Sequence, residues 1–120
     1  MTHGVIFEPD QQCRPVLEAA LASLYWSVVT TDSLSEVATH LPGPWAMILA
    51  VESGDIAAID EIRDLRKLAP ATAICVLVDE ASPEFDRQLH IAGVDQVFAK
   101  PVQETEIVEA LVAGFMARRG

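Results

Sequence analysis

Ala73-Ile74-Cys75-Val76-Leu77-Val78 is an uninterrupted apolar run bounded by Ala69-Pro70-Ala71-Thr72 and by Asp79-Glu80. A strand with one wet face alternates apolar and polar residues. This one does not, so both of its faces are covered. Such a strand belongs in the middle of a parallel sheet with helices packed on either side.

The neighbours on both sides support that placement. Ile59, Ile62 and Leu65 recur at helical spacing just before it, and Ala69-Pro70 ends that helix. After it, Ser82-Pro83 pairs a capping serine with a proline at the first helical position. Phe85, Leu89 and Ala92 form the inward face of this helix, and Gly93 stops it. Val97-Phe98-Ala99 reads as a fifth strand, followed by Lys100-Pro101. The last helix buries Ile107, Val108, Leu111 and Phe115.

Toward the amino terminus, Pro42-Gly43-Pro44 breaks a helix and launches a third strand, Trp45–Val51, with Glu52-Ser53-Gly54-Asp55 as the loop beyond it. Ser33-Leu34-Ser35-Glu36 is a capping box ahead of the stripe Leu34, Val37, Ala38 and Leu41. Trp26–Thr30 reads as the second strand. Cys13, Val16, Leu17, Ala20, Leu21 and Leu24 form the stripe of the first helix, with Pro15 in its first turn. Val5-Ile6-Phe7 is the first strand, ended by Glu8-Pro9.

Five strands alternating with five helices predict an α/β fold. Right-handed crossovers make it a doubly wound, five-stranded parallel sheet of the flavodoxin-like kind, one domain over residues 1–120. The working site of such a sheet lies at the carboxyl ends of its strands. The positions to read are therefore Glu8-Pro9, Ala50-Val51, Val78-Asp79 and Lys100-Pro101.

Composition narrows the function classes. Hydrophobic residues make up 51% of the 120, with mean hydropathy +0.29, too apolar for a disordered chain. No apolar run approaches the roughly 20 residues of a membrane span, and Met1-Thr2-His3-Gly4 is not a secretory signal, so a cytoplasmic location is expected. A net charge of -10 argues against nucleic acid, which needs a basic face. The one basic cluster, Arg118-Arg119, stands where cations favour a helix carboxyl end. Cys13 and Cys75 fit no metal or redox spacing and read as small core residues. His3, His40 and His90 show no ligand spacing and read as surface or helix-edge residues. Neither a metal nor a cofactor is expected.

The order of elements and the stretch Gly93-Val94-Asp95-Gln96-Val97-Phe98-Ala99-Lys100-Pro101 resemble the receiver domain of two-component response regulators, over essentially the whole chain. The resemblance implies an acid pair after strand one, a phosphoacceptor aspartate ending strand three, a hydroxyl ending strand four and a lysine after strand five. It also implies a cis bond at Lys100-Pro101. In this chain those roles fall on Glu8 and Pro9, Ala50, Val78 and Lys100. The acid pair would hold Mg²⁺ through hard oxygen ligands, the aspartate would attack phosphorus, and the hydroxyl and lysine would hold the new phosphoryl oxygens. Pro9 has no carboxylate, Ala50 no nucleophile and Val78 no hydroxyl. Val97 stands where many receivers carry a mobile aromatic, and valine is stiff at its first torsion. The resemblance is thus to a degenerate member, a pseudo-receiver with no catalytic residue. Glu8 and Lys100 are expected to pair in the vacated space. Asp10, Glu52, Asp55 and Asp79 are expected to be solvated loop acids.

Attention then moves to the surface. Ile91 lies on the far side of its helix from Leu89. With Val97, Val112 and Met116 it is expected to form an apolar patch on the face made by helix four, strand five and helix five, which receivers commonly use for partners or for dimerisation. Trp45 is a second candidate anchor. The expected function is phosphorylation-independent protein–protein interaction in bacterial signal transduction, without enzymatic activity. The partner would be a signalling or regulatory protein, or a second copy, and the domain free-standing or part of a longer regulator. The alternatives are a working receiver that uses a displaced acid and a small flavodoxin-like nucleotide or flavin binder. Against the binder, Pro9-Asp10-Gln11-Gln12 stands where a glycine-rich phosphate loop would be.

Overall fold

A computed structural model describes residues 1–119. The strands are β1 (Gly4–Phe7), β2 (Val28–Thr31), β3 (Ala46–Val51), β4 (Ala73–Val78) and β5 (Gln96–Ala99). They alternate with α1 (Arg14–Ser23), α2 (Leu34–Val37), α3 (Ile56–Leu68), α4 (Pro83–Ala92) and α5 (Glu104–Arg119). All pairings are parallel, in the order β2-β1-β3-β4-β5. The three interior strands, β1, β3 and β4, are apolar on both faces in sequence.

Alternation along β4 divides the core. Ile74, Val76 and Val78 face one layer with Ile62, Leu65, Phe85 and Leu89, which α3 and α4 supply. Ala73, Cys75 and Leu77 face the other with Leu17, Leu21, Ile107 and Leu111, from α1 and α5. Burial pushes the Cys75 thiol up to about 12, as expected of an inert core cysteine.

The capping serines act as read, while Glu36 reaches back to the Asp32 N–H at 2.9 Å instead of that of Ser33. Ser33 Oγ accepts the Glu36 N–H at 3.2 Å, and Ser82 Oγ accepts that of Phe85 at 3.3 Å. Gly93 closes α4 at φ 112°, and a side chain there would meet Arg66 Cγ at 2.7 Å. Asp55, read only as loop, caps α3 by accepting the Ala58 N–H at 3.2 Å. α2 is a single turn continued by a 3-10 turn, Ala38–His40, which leaves Ala38 and Leu41 half-buried.

Strand two begins later than the expected Trp26, and strand three starts one residue after Trp45. Tyr25 turns into the left-handed region at φ 59°, and the N–H of Trp26 closes α1 onto the Leu21 carbonyl. The two tryptophans then join an aromatic cluster below the sheet. Trp45 lies 4.4 Å from His3, 5.4 Å from Trp26 and 4.7 Å from Phe115, centroid to centroid. This corrects the expectation for His3, which is a packed ring whose Nδ1 accepts the Ser27 N–H. Trp45, the second candidate anchor, is half-buried in the cluster.

A polar clamp holds the same end. Asp95, in the turn before β5, accepts the Ile74 N–H at 2.8 Å, Arg66 Nη2 at 3.0 Å and Arg118 Nη2 at 2.6 Å. Arg66 also donates to the carbonyls of Gly93, Ala69 and Thr72, tying the end of α3 to the starts of β4 and β5. Burial and the nearby Arg118 hold its guanidinium below the ordinary value. The side chain of Arg119 lies outside the described residues.

Candidate functional site

The parallel strands deliver their last residues to one edge, where a cleft of about 690 Å³ opens between the β1–α1, β3–α3 and β5–α5 connections. Glu8 follows β1 and is only 2% exposed. A carboxylate so buried needs compensation. Its Oε1 accepts the Asp10 N–H at 2.8 Å, and its Oε2 lies 2.7 Å from Lys100 Nζ. Oε2 accepts no hydrogen bond among the described residues, so the Lys100 ammonium is its partner as a counter-charge. Lys100 is positioned by its own N–H on the Val78 carbonyl at 2.9 Å, and its peptide bond to Pro101 is cis. Beside the pair, burial, reinforced by the Glu8 charge, pushes the Cys13 thiol up to about 11.

Ala50 lines the same cleft, with its methyl where strand three ends. Glu8, Pro9, Ala50 and Lys100 thus converge. Val78 does not. It is 1% exposed and turned into the core, and Asp79 lines the cleft instead. Successive strand side chains point to opposite faces, so a one-residue error in placement puts a core residue in the site. Asp79 Oδ1 accepts the Ser53 N–H at 2.7 Å, and Ser53 Oγ donates to the Glu80 carbonyl at 2.8 Å. These bonds stitch the β3–α3 loop to the β4–α4 loop. The Ser53 N–H is the main reason the Asp79 carboxyl sits below its ordinary value.

Asp10, Glu52, Asp55 and Asp79 are exposed, as loop acids should be, but three have local tasks. Asp10 accepts the Gln12 N–H, Asp55 caps α3, and Asp79 holds Ser53. The residues do not fit the Mg²⁺ site that the receiver fold implies. Glu8 is engaged by an ammonium and a backbone N–H, and Pro9 and Ala50 bring no oxygen ligand in their side chains. Among the described residues, no group of three or more His, Cys, Asp or Glu side chains is placed to hold a metal ion.

On the α4–β5–α5 face, Ile91 is 75% exposed, Val112 42% and Met116 64%. Val97 differs from expectation. It is half-buried against the α3 and α4 core layer, because alternation along β5 points it inward and Phe98 to the opposite layer. No helix among the described residues is long and apolar enough to cross a membrane.

The sequence matches no protein-family model and no curated protein. Solved structures do match. A CheY-like response regulator receiver domain from Methanospirillum hungatei superposes with a TM-score of 0.84 at 16% identity, over 99% of this chain and 97% of that one. A response regulator from Thermotoga maritima gives 0.80 at 18% identity, over 97% and 99%. A protein named for pilus assembly, from Burkholderia pseudomallei, gives 0.82 at 18% identity, over 98% and 91%. The chain has the receiver fold. Identities this low establish the fold alone.

Proposed function

We propose that this chain is a pseudo-receiver, a receiver-like domain of bacterial signal transduction that works by protein–protein interaction without accepting phosphate and without enzymatic activity. One observation carries the reading. Ala50 stands at the end of β3 in the cleft, and Lys100 is already neutralised by Glu8 at 2.7 Å. Attack on phosphorus needs a nucleophile that alanine lacks. The Lys100 ammonium, which would hold a phosphoryl group, is already occupied. The tasks of Asp10, Asp55 and Asp79 in the loops speak against a displaced acceptor.

The exposed apolar residues of the α4–β5–α5 face support an interaction role, because isolated apolar side chains are common but several on one face are less so. Ile91→Asp is expected to leave the thermal midpoint unchanged and to weaken partner binding or self-association. Unchanged association would remove α4 from the interface. Incubation with a small phosphodonor and Mg²⁺, read by intact mass, tests the reading itself. No adduct is expected. A phosphate adduct that disappears in Asp10→Asn would establish a working receiver.

The Burkholderia pseudomallei likeness supports a narrower reading, in which the domain serves a pilus assembly system rather than a phosphorelay. Identification of the proteins that co-purify with it separates the two.

A further inference from the structure

A second cleft, of about 320 Å³, runs between β5 and α5. Phe98, Ala110 and Ala113 give it an apolar floor, and Gln96, Glu106 and Glu109 form its rim. β5 pairs only with β4, so the strand beside this groove is a sheet edge. Further along α5, Met116 extends the exposed apolar surface.

The charges around the groove are of one sign. Among the described residues, no cation lines it. The described cations of the neighbouring elements are already engaged: Arg87 with Glu84, Lys100 with Glu8, and Arg118 with Asp95. Among the described residues, neither Glu106 nor Glu109 has an ion-pair partner. Glu106 accepts only the Gln103 N–H, at 3.3 Å. The larger cleft differs, since a cation, Lys100, stands among its acids. The groove therefore combines an apolar seat with two unpaired carboxylates, in a chain of net charge -10.

We propose that the groove between β5 and α5 seats a segment of a partner protein that presents an apolar anchor flanked by lysine or arginine side chains. This rests on the reading that the α4–β5–α5 face serves interaction, and it adds the chemistry of the partner. Complementary charge sets orientation and encounter rate, and the buried anchor supplies most of the affinity.

The test is fluorescence anisotropy with a short labelled amphipathic peptide of leucine and lysine, beside its leucine and glutamate counterpart. Saturable binding of the lysine peptide alone is expected, weakening as salt rises. Glu106→Lys with Glu109→Lys, and separately Ala113→Arg, are each expected to weaken it about tenfold or more, the ratio that ~1.4 kcal/mol produces. Glu52→Lys with Asp55→Lys should leave it within about twofold, on the same scale. All these positions are exposed, and circular dichroism checks that each variant is folded. Equal binding of both peptides, loss through the Glu52 and Asp55 changes instead, or no saturable binding would overturn the proposal. Intact mass after phosphodonor treatment of the same sample keeps the two readings apart. An adduct overturns the pseudo-receiver, whereas failure of peptide binding without an adduct overturns only the partner chemistry.

Discussion

Replacing Lys100 with methionine tests whether the Glu8–Lys100 pair holds the strand ends. The change keeps most of the side-chain volume and removes the charge. The Glu8 side chain is fully buried, with one oxygen 2.7 Å from the ammonium and the other on the Asp10 N–H. Without the ammonium, a carboxylate would remain in the interior with a single donor. Breaking a buried pair from one side costs about 3–5 kcal/mol. Lys100 keeps 23% of its side chain exposed, and the Asp10 N–H remains, so about 2–3 kcal/mol is expected here. At about 2.1 cal/mol/K of unfolding entropy per residue, that lowers Tm by roughly 8–12 °C. Urea denaturation followed by circular dichroism measures the loss. Glu8→Gln and the double variant complete a cycle with an expected coupling of about 1–3 kcal/mol. A loss under about 0.5 kcal/mol, the size of an exposed pair, would show that the contact contributes little to the fold.

Other expectations concern the cleft and the clamp. Ala50→Asp alone should gain no phosphate from a phosphodonor with Mg²⁺, because Pro9 supplies no metal ligand and Lys100 is held by Glu8; efficient labelling by intact mass would contradict this. Asp95→Ala leaves the Ile74 N–H without its acceptor and two arginines without their carboxylate partner, and should cost about 2–4 kcal/mol in urea unfolding, whereas a cost under about 1 kcal/mol would make the clamp ornamental. The Asp79 tie has a definite pH sense. A carboxyl lowered in the folded state contributes stability that is present above its unfolded pKa and lost as pH falls through the folded value. The Ser53 amide resonance should therefore hold through neutral and mildly acidic pH and shift only below the usual carboxylate range. A midpoint at or above that range would mean that the bond does not favour the ionised form.

Much of the site was legible because strand ends converge by topology. Once the strands were counted and read as parallel, Glu8, Ala50 and Lys100 had to meet at one edge, and they do. Val78 shows the limit of that reasoning. Period-two alternation makes the identity of the last strand residue depend on register, and register is settled by pairing across the sheet, where Val51 opposes Val78. Val97 follows the same rule. An extended strand sends it to the core side, whatever role a family resemblance assigns to the position.

The apolar run Ala73–Val78 was enough to require a covered parallel sheet, since local periodicity reflects which faces must leave water. The capping serines and Gly93 set element ends for equally local reasons of hydrogen bonding and backbone freedom. The tertiary structure alone decided which distant side chains meet. Asp95 gathers Arg66 from α3 and Arg118 from α5, and the rings of His3, Trp26, Trp45 and Phe115 pack together although they are scattered along the chain. Among the described residues, Glu106 and Glu109 are left without a cation beside Phe98. Such contacts depend on how whole elements cross and pack, and periodicity within one element carries no information about its neighbour's side chains.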